Sequence, residues 1–181
     1  MTDIASPVPA PVAGAEPPPI SRAIYGMPMF ATLAARDVAA SVSWYTDGLG
    51  FIELFTVPGP DGAPILVHLR RWQFQDLLVR PARGPVNPGD GCQLSFASVY
   101  GEIDALAERA RAYGGGRVDG PADTPWNTRD LTTADPDGHV VIFTAARPPE
   151  LADPAFSARM RQWTGPRAGR TSRSWNCQRR R

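Results

Sequence analysis

The chain has 181 residues, with 20 Pro, 17 Gly and 43% hydrophobic positions, enough for one domain or two small modules sharing a core. Its 19 basic residues are all Arg, set against 18 acidic ones; eight of the Arg and no acid fall in residues 155–181, so residues 1–154 balance at −7. That distribution argues against a globally basic nucleic-acid binder, and no apolar run approaches the ~18 residues that span a bilayer, which argues against an integral membrane protein.

The opening residues lack the basic start and continuous apolar stretch of a secretory signal. Cys92 and Cys177 are too few for a disulfide framework or a Cys-based zinc site. A reduced, cytoplasmic protein is expected.

Residues 1–23 are rich in Pro and Ala and read as a disordered arm, because Pro removes backbone donors and fixes φ. A block over 24–147 follows. Met27 to Leu33 is a short apolar run that reads as a strand. Asp37 then stands as N-cap before Val38, Val42, Tyr45 and Leu49, one stripe of an amphipathic helix that Gly48 and Gly50 end. Phe51–Val57, Ile65–Arg70 and Phe74–Arg80 read as strands, with a Gly-Pro-Asp-Gly turn between the first two.

The order then repeats. Gln93–Ser98 is a strand and Glu102–Tyr113 a helix with Ile103, Leu106 and Ala110 on one face. Short strands near Arg117–Asp119 and Arg129–Ala134, the Asp135-Pro136-Asp137-Gly138 turn and a last strand from Val140 to Thr144 complete it. The pattern is βαβββ twice, with modules of about 27–82 and 90–146 and a period of about 64 residues. Residues 148–181 form a C-terminal extension: a short helix over Asp153–Trp163 presenting Phe156, Met160 and Trp163, then an Arg-rich tail.

The segments Ala35-Arg36-Asp37-Val38 and Ser41 through Phe51, with Ile103-Asp104-Ala105-Leu106, Tyr113-Gly114-Gly115, Pro125-Trp126, Arg129 and the Asp135–Gly138 turn, resemble the vicinal oxygen chelate superfamily. That group includes glyoxalase I, extradiol dioxygenases and bleomycin resistance proteins, and the segments Thr46–Phe51 and Pro125–Arg129 look most like the bleomycin resistance branch. The resemblance implies an α+β fold in which two βαβββ modules form a cupped mixed sheet with helices on the outer face.

The resemblance also implies where a metal would sit, since metal-dependent members carry one ligand on each of four strands. The matching positions here are Phe30, Leu77 (or Asp76 if the register is off by one), Gln93 and Ile142. Phe, Leu and Ile carry no lone pair for a metal, and one Gln falls short of the three protein ligands that a catalytic site usually needs. His68 and His139 match no ligand position. No metal and no cofactor are expected, and no catalytic residue is assigned.

Strand alternation brings Thr32 beside Phe30, Ser95 beside Gln93, and Gln75 beside Leu77 on the concave face. Trp72 and Trp126 are candidate stacking surfaces. Such a mixture suits a small-molecule pocket, with apolar walls and sparse polar groups.

The expected function is metal-independent sequestration of an antibiotic or similar aromatic natural product. The alternative is a glyoxalase- or dioxygenase-type enzyme with an atypical ligand set of Gln93, Asp76 and His68. A third reading gives the Arg-rich tail, with Trp163 and Trp175, a nucleic-acid contact, for which a solvated tail is the simpler account. The bleomycin resistance resemblance implies a homodimer, with the hinge at Gly26-Met27-Pro28 and the Pro-rich arm crossing the neighbouring protomer.

Overall fold

Asp37 starts the first helix as the sequence predicts, its Oδ1 accepting from the Ala40 N–H at 3.0 Å. The computed structural model of the chain describes residues 13–27, 29–88 and 92–164, and the side chains up to residue 162. The expectations on residues 1–12, the Trp163 side chain and the Arg-rich tail with Trp175 and Cys177 lie outside the described residues.

The first module comprises β1 (Ala31–Ala35), α1 (Val38–Ser43), β2 (Ile52–Pro58), β3 (Pro64–Arg70) and β4 (Asp76–Pro81). The predicted single helix is α1 continued by a wider turn over Trp44–Gly48. Gly50, at φ +75°, takes the backbone out of that turn into β2, a conformation that costs little only for Gly. The second module comprises β5 (Leu94–Ala97), α2 (Ile103–Tyr113), β6 (Arg117–Asp123), β7 (Thr128–Ala134) and β8 (Val140–Ala146). A third helix, α3 (Pro154–Thr164), follows.

The two sheets have the same plan. One runs β1-β4-β3-β2 and the other β5-β8-β7-β6, each with its first and last strands parallel and the remaining pairs antiparallel. The repeat read from the sequence is thus a repeat of topology.

One apolar core serves both modules. Leu33 and Ala35, Val67 and Leu69, and Leu77 and Val79 fill the helix-facing side of the first sheet; Leu131, Val141, Phe143 and Ala145 do so in the second. Trp44, Tyr45 and Leu49 from the first module meet Ile103, Leu106, Ala107 and Ala110 of α2 in the same cluster. Each such Leu, Ile or Phe contributes about 1.5–3 kcal/mol on leaving water, so neither module is self-sufficient.

Polar bonds pin the modules together. The Asp135–Gly138 turn sends both carboxylates across the joint. Asp137 accepts from the Arg36 backbone N–H at 3.0 Å and from its Nε at 2.5 Å. Asp135 accepts from the Tyr45 hydroxyl at 3.1 Å. His139, which follows the turn, is half-buried, with its Nε2 2.9 Å from the Ala34 carbonyl.

The arm and the C-terminal helix are both fastened by side chains. Arg70 Nη1 donates to the Ser21 and Ala23 carbonyls at 3.1 and 2.7 Å, so residues 21–25 lie along the first sheet. Asn127 Nδ2 donates to the Asp153 carbonyl and Ser157 Oγ at 3.1 Å, and its Oδ1 accepts from the Asp153 N–H, docking α3.

Candidate functional site

Because Leu33, Val67, Leu69, Leu77 and Val79 face the helices, strand alternation turns Thr32, His68, Arg70, Asp76 and Leu78 to the opposite face of the first sheet. In the second sheet the same rule puts Ser95, Asp130, Thr132, Ile142 and Thr144 on that face. These residues point away from the helix-facing core.

Two hollows of about 140 Å³ each lie along the junction of β1 and β5. One is lined by Phe30, Phe74, Asp76, Gln93, Ser95 and Phe96. The other is lined by Thr32, Pro88, Cys92, Leu94, His139 and Val140. Ala31 and Leu94 border both, so they form one broken trough. Each alone is well below the roughly 300–1,000 Å³ of drug-sized ligand pockets.

The structure distributes the nine sequence-predicted ligand residues unevenly. Phe30, Gln93 and Ser95 share the first hollow, and Thr32 lines the second. Ile142 sits opposite Ser95 in the β5–β8 register, half-buried, outside both linings.

Leu77 is a correction. It is fully buried in the helix-facing core, and Asp76 takes the place assigned to it, because the true register is one residue earlier. Gln75 and Trp72 are also displaced from the expected face. Gln75 Nε2 donates to the Ala97 carbonyl at 2.9 Å, and the Trp72 ring lies 4.3 Å beneath the Arg71 guanidinium, so both belong to the joint between modules. Trp126 is 55% exposed on the turn before β7, away from both hollows.

Sequence reasoning missed the buried cluster behind the first hollow. Asp76 Oδ1 is 2.7 Å from His68 Nε2 and accepts from Arg70 Nε at 2.8 Å; Oδ2 accepts from the Tyr25 hydroxyl at 3.1 Å. All three sheet residues are almost inaccessible. The Arg70 guanidinium also lies 4.1 Å over the Tyr25 ring, and the Phe55 ring meets His68 edge-on at 5.1 Å. Burial, aided by the Asp76 charge, raises the Tyr25 phenol above its ordinary value and keeps it a donor. The sequence signal was the one-residue ambiguity between Asp76 and Leu77; the partners are separated by up to 51 positions.

Arg71 carries a second buried charge. Its Nη1 donates to the Ala97 carbonyl at 2.8 Å and its Nη2 to Glu102 Oε2 at 2.9 Å, tying the end of β3 to the segment before α2. Burial lowers its pKa, and the Glu102 carboxylate only partly offsets that. It is a structural cation.

These residues do not fit a metal ion. Phe30 and Ile142 offer no donor, and both Asp76 oxygens already accept hydrogen bonds, one of them from a guanidinium that repels a cation. The alternative set of Gln93, Asp76 and His68 meets the same obstacle, since His68 and Arg70 converge on one oxygen. Among the described residues no group of three or more His, Cys, Asp or Glu is arranged to hold a metal.

Comparison with known proteins agrees with this architecture. The chain is 31% identical over 115 residues to the uncharacterized protein Rv0887c of Mycobacterium tuberculosis, covering 59% of this chain and 67% of that one. Among solved structures it is similar to TioX from Micromonospora sp. ML1, at 26% identity and TM-score 0.54 over 66% of this chain and 98% of that one. It is also similar to TnmS3, an antibiotic binding protein from Streptomyces sp. CB03234, at 25% identity and TM-score 0.52 over 68% and 98% of the two chains. Residues 28–143 match the profile of the Glyoxalase/Bleomycin resistance protein/Dioxygenase superfamily, and the chain belongs to that family.

Proposed function

We propose that this protein binds and sequesters an antibiotic or similar aromatic natural product without a metal and without changing it chemically. The observation that carries the reading is the chemistry of the first hollow, where Phe30, Asp76 and Gln93 meet and the only carboxylate among them is already paired to Arg70. Phe30, Phe74 and Phe96 give apolar, stacking walls, and Gln93 and Ser95 give orienting polar groups. The likeness to TnmS3 supports the same reading.

Assembly completes the proposal. Each hollow is too small for a drug-sized ligand, while Met29, Phe30, Phe55 and Ile65 stand exposed on the chain, Met29 at 79%. A C₂ homodimer with two pockets lined by both chains would cover such groups and enlarge the trough. Residues 21–25 are seated on their own sheet, so this dimer requires no exchange of the arm. A cytoplasmic location suits a protein that intercepts a drug before its intracellular target; among the described residues no helix is long and apolar enough to cross a membrane.

Isothermal titration with bleomycin-family and other DNA-damaging natural products tests the reading. Saturable binding at one ligand per chain, unchanged by EDTA, is expected. Failure of every class to bind, or a stoichiometric divalent ion in elemental analysis of the purified protein, would overturn it.

A further inference from the structure

The segment 21–25 lies along the first sheet with its first four residues exposed and Tyr25 half-buried, and it touches the sheet through two main-chain carbonyls and the Tyr25 side chain. Ser21 and Ala23 present their carbonyls to a single Arg70 nitrogen, and Tyr25 lays its ring under the same guanidinium. The Tyr25 hydroxyl donates to Asp76 and accepts from the Phe74 N–H at 2.7 Å. The intervening Arg22 turns away to donate to the Glu53 carbonyl at 2.9 Å, and Ile24 is 79% exposed. The contacts recur every second residue, with the carbonyls of Ser21 and Ala23 on one Arg70 nitrogen and an aromatic ring two residues further on.

The receiving surface is braced from within the sheet. Arg70 is held from behind by Asp76, and Asp76 by His68, all nearly inaccessible. The arm is held far more lightly. Among the described residues no backbone-to-backbone hydrogen bond ties it to the sheet, and its grip rests on Arg70, Tyr25 and Arg22. Segments with such sparse fixation open at low free-energy cost. Phe74 couples the arm to the trough: its backbone sits at φ +65°, its ring meets Tyr25 edge-on at 5.1 Å, and the same ring walls the first hollow.

We propose that the Arg70–Asp76–Tyr25 groove is a recognition site for an extended peptide-like ligand carrying an aromatic ring, and that residues 21–25 are its resident occupant, which such a ligand must displace. Displacement frees Phe74 and joins the groove to the hollow of Phe30, Gln93 and Ser95. The inference rests on the binding-protein reading for the arrival of a ligand. Its test uses no antibiotic, so the two fail separately.

The probe is a synthetic octapeptide of residues 20–27, Ile-Ser-Arg-Ala-Ile-Tyr-Gly-Met, added to the full chain and to its Tyr25→Ala variant. Tyr25 lies outside the core, so the variant keeps the fold. Tryptic cleavage after Arg22 is expected to speed up at least about tenfold in Y25A, with the core strands unchanged. The octapeptide should then bind Y25A with one-to-one stoichiometry and bind the wild-type chain at least about tenfold more weakly, because the tethered arm competes at high effective concentration. An octapeptide with its Tyr replaced by Ala should not bind Y25A. Unchanged cleavage in Y25A, no octapeptide binding once cleavage has sped up, equal binding to both chains, or binding that ignores the Tyr would each overturn the proposal.

Discussion

Asp135 and Asp137 stand two residues apart in one turn, yet the structure drives their acidities in opposite directions. Burial raises the Asp135 carboxyl, and the hydrogen bonds from His139, Tyr45 and the Asp137 N–H only partly counter it. Burial also pushes Asp137 upward, but the Arg36 hydrogen bonds and charge outweigh it and hold that carboxyl below its ordinary value. A depressed carboxyl stabilises the fold above its unfolded pKa of about 3.9, and that contribution is lost as pH falls through the lower folded value. Asp135 works the other way: its contribution is present in acid and lost as pH rises through its raised value. The Asp137→Asn variant should therefore lose about 1 kcal/mol near neutral pH, a modest figure because the Arg36 side chain is 67% exposed. Its deficit should shrink below about pH 4. Urea denaturation from pH 7 down to acid would read this, and a constant deficit across that range would rule out Asp137 as the source.

Between elements, Gly116, just before β6, packs closely on Trp44 of the turn after α1. A Cβ at Gly116 would come within 2.5 Å of the Ala134 carbonyl and 2.6 Å of the Trp44 ring, so neither backbone nor indole leaves room for a methyl group. Gly116→Ala should destabilise the chain by about 1–3 kcal/mol, through displacement of a fully buried Trp. Denaturant midpoints measure it, and a red shift of Trp emission in the native state should accompany the loss. A midpoint equal to wild type would show that the joint yields freely. The elements themselves were largely legible in the sequence. Asp37 as N-cap, the stripe of Val38, Val42, Tyr45 and Leu49, and the α2 face of Ile103, Leu106 and Ala110 all depend on local spacing. The first strand was placed too early, because Met27–Leu33 is apolar whereas the pairing with β4 runs over Ala31–Ala35.

At the scale of the whole molecule, the shared core makes one unit of two modules, while the trough between β1 and β5 is left as two small hollows. If a second chain completes it, light scattering at micromolar concentration should give twice the 19.5 kDa chain mass. The Phe30→Asp variant, which puts a charge on the exposed lip of the trough, should shift the equilibrium toward monomer and weaken ligand binding together. A wild-type mass of one chain at those concentrations would remove the shared pocket, and with it the case for a large ligand.

The sequence by itself determined the repeated βαβββ order and the family, since each follows from local spacing and residue type. The tertiary structure decided which residues face a ligand. A shift of one position exchanges the two faces of a strand, so Leu77 went to the core and Asp76 to the trough. Trp72 and Gln75 looked like pocket residues because aromatic and amide groups suit ligands, but the β3–β4 turn carries them to the joint with the second module. The Arg70–Asp76–His68–Tyr25 cluster was illegible for the same physical reason: its partners meet only after the arm folds back across the sheet, and no local pattern records a contact made over 51 positions of chain.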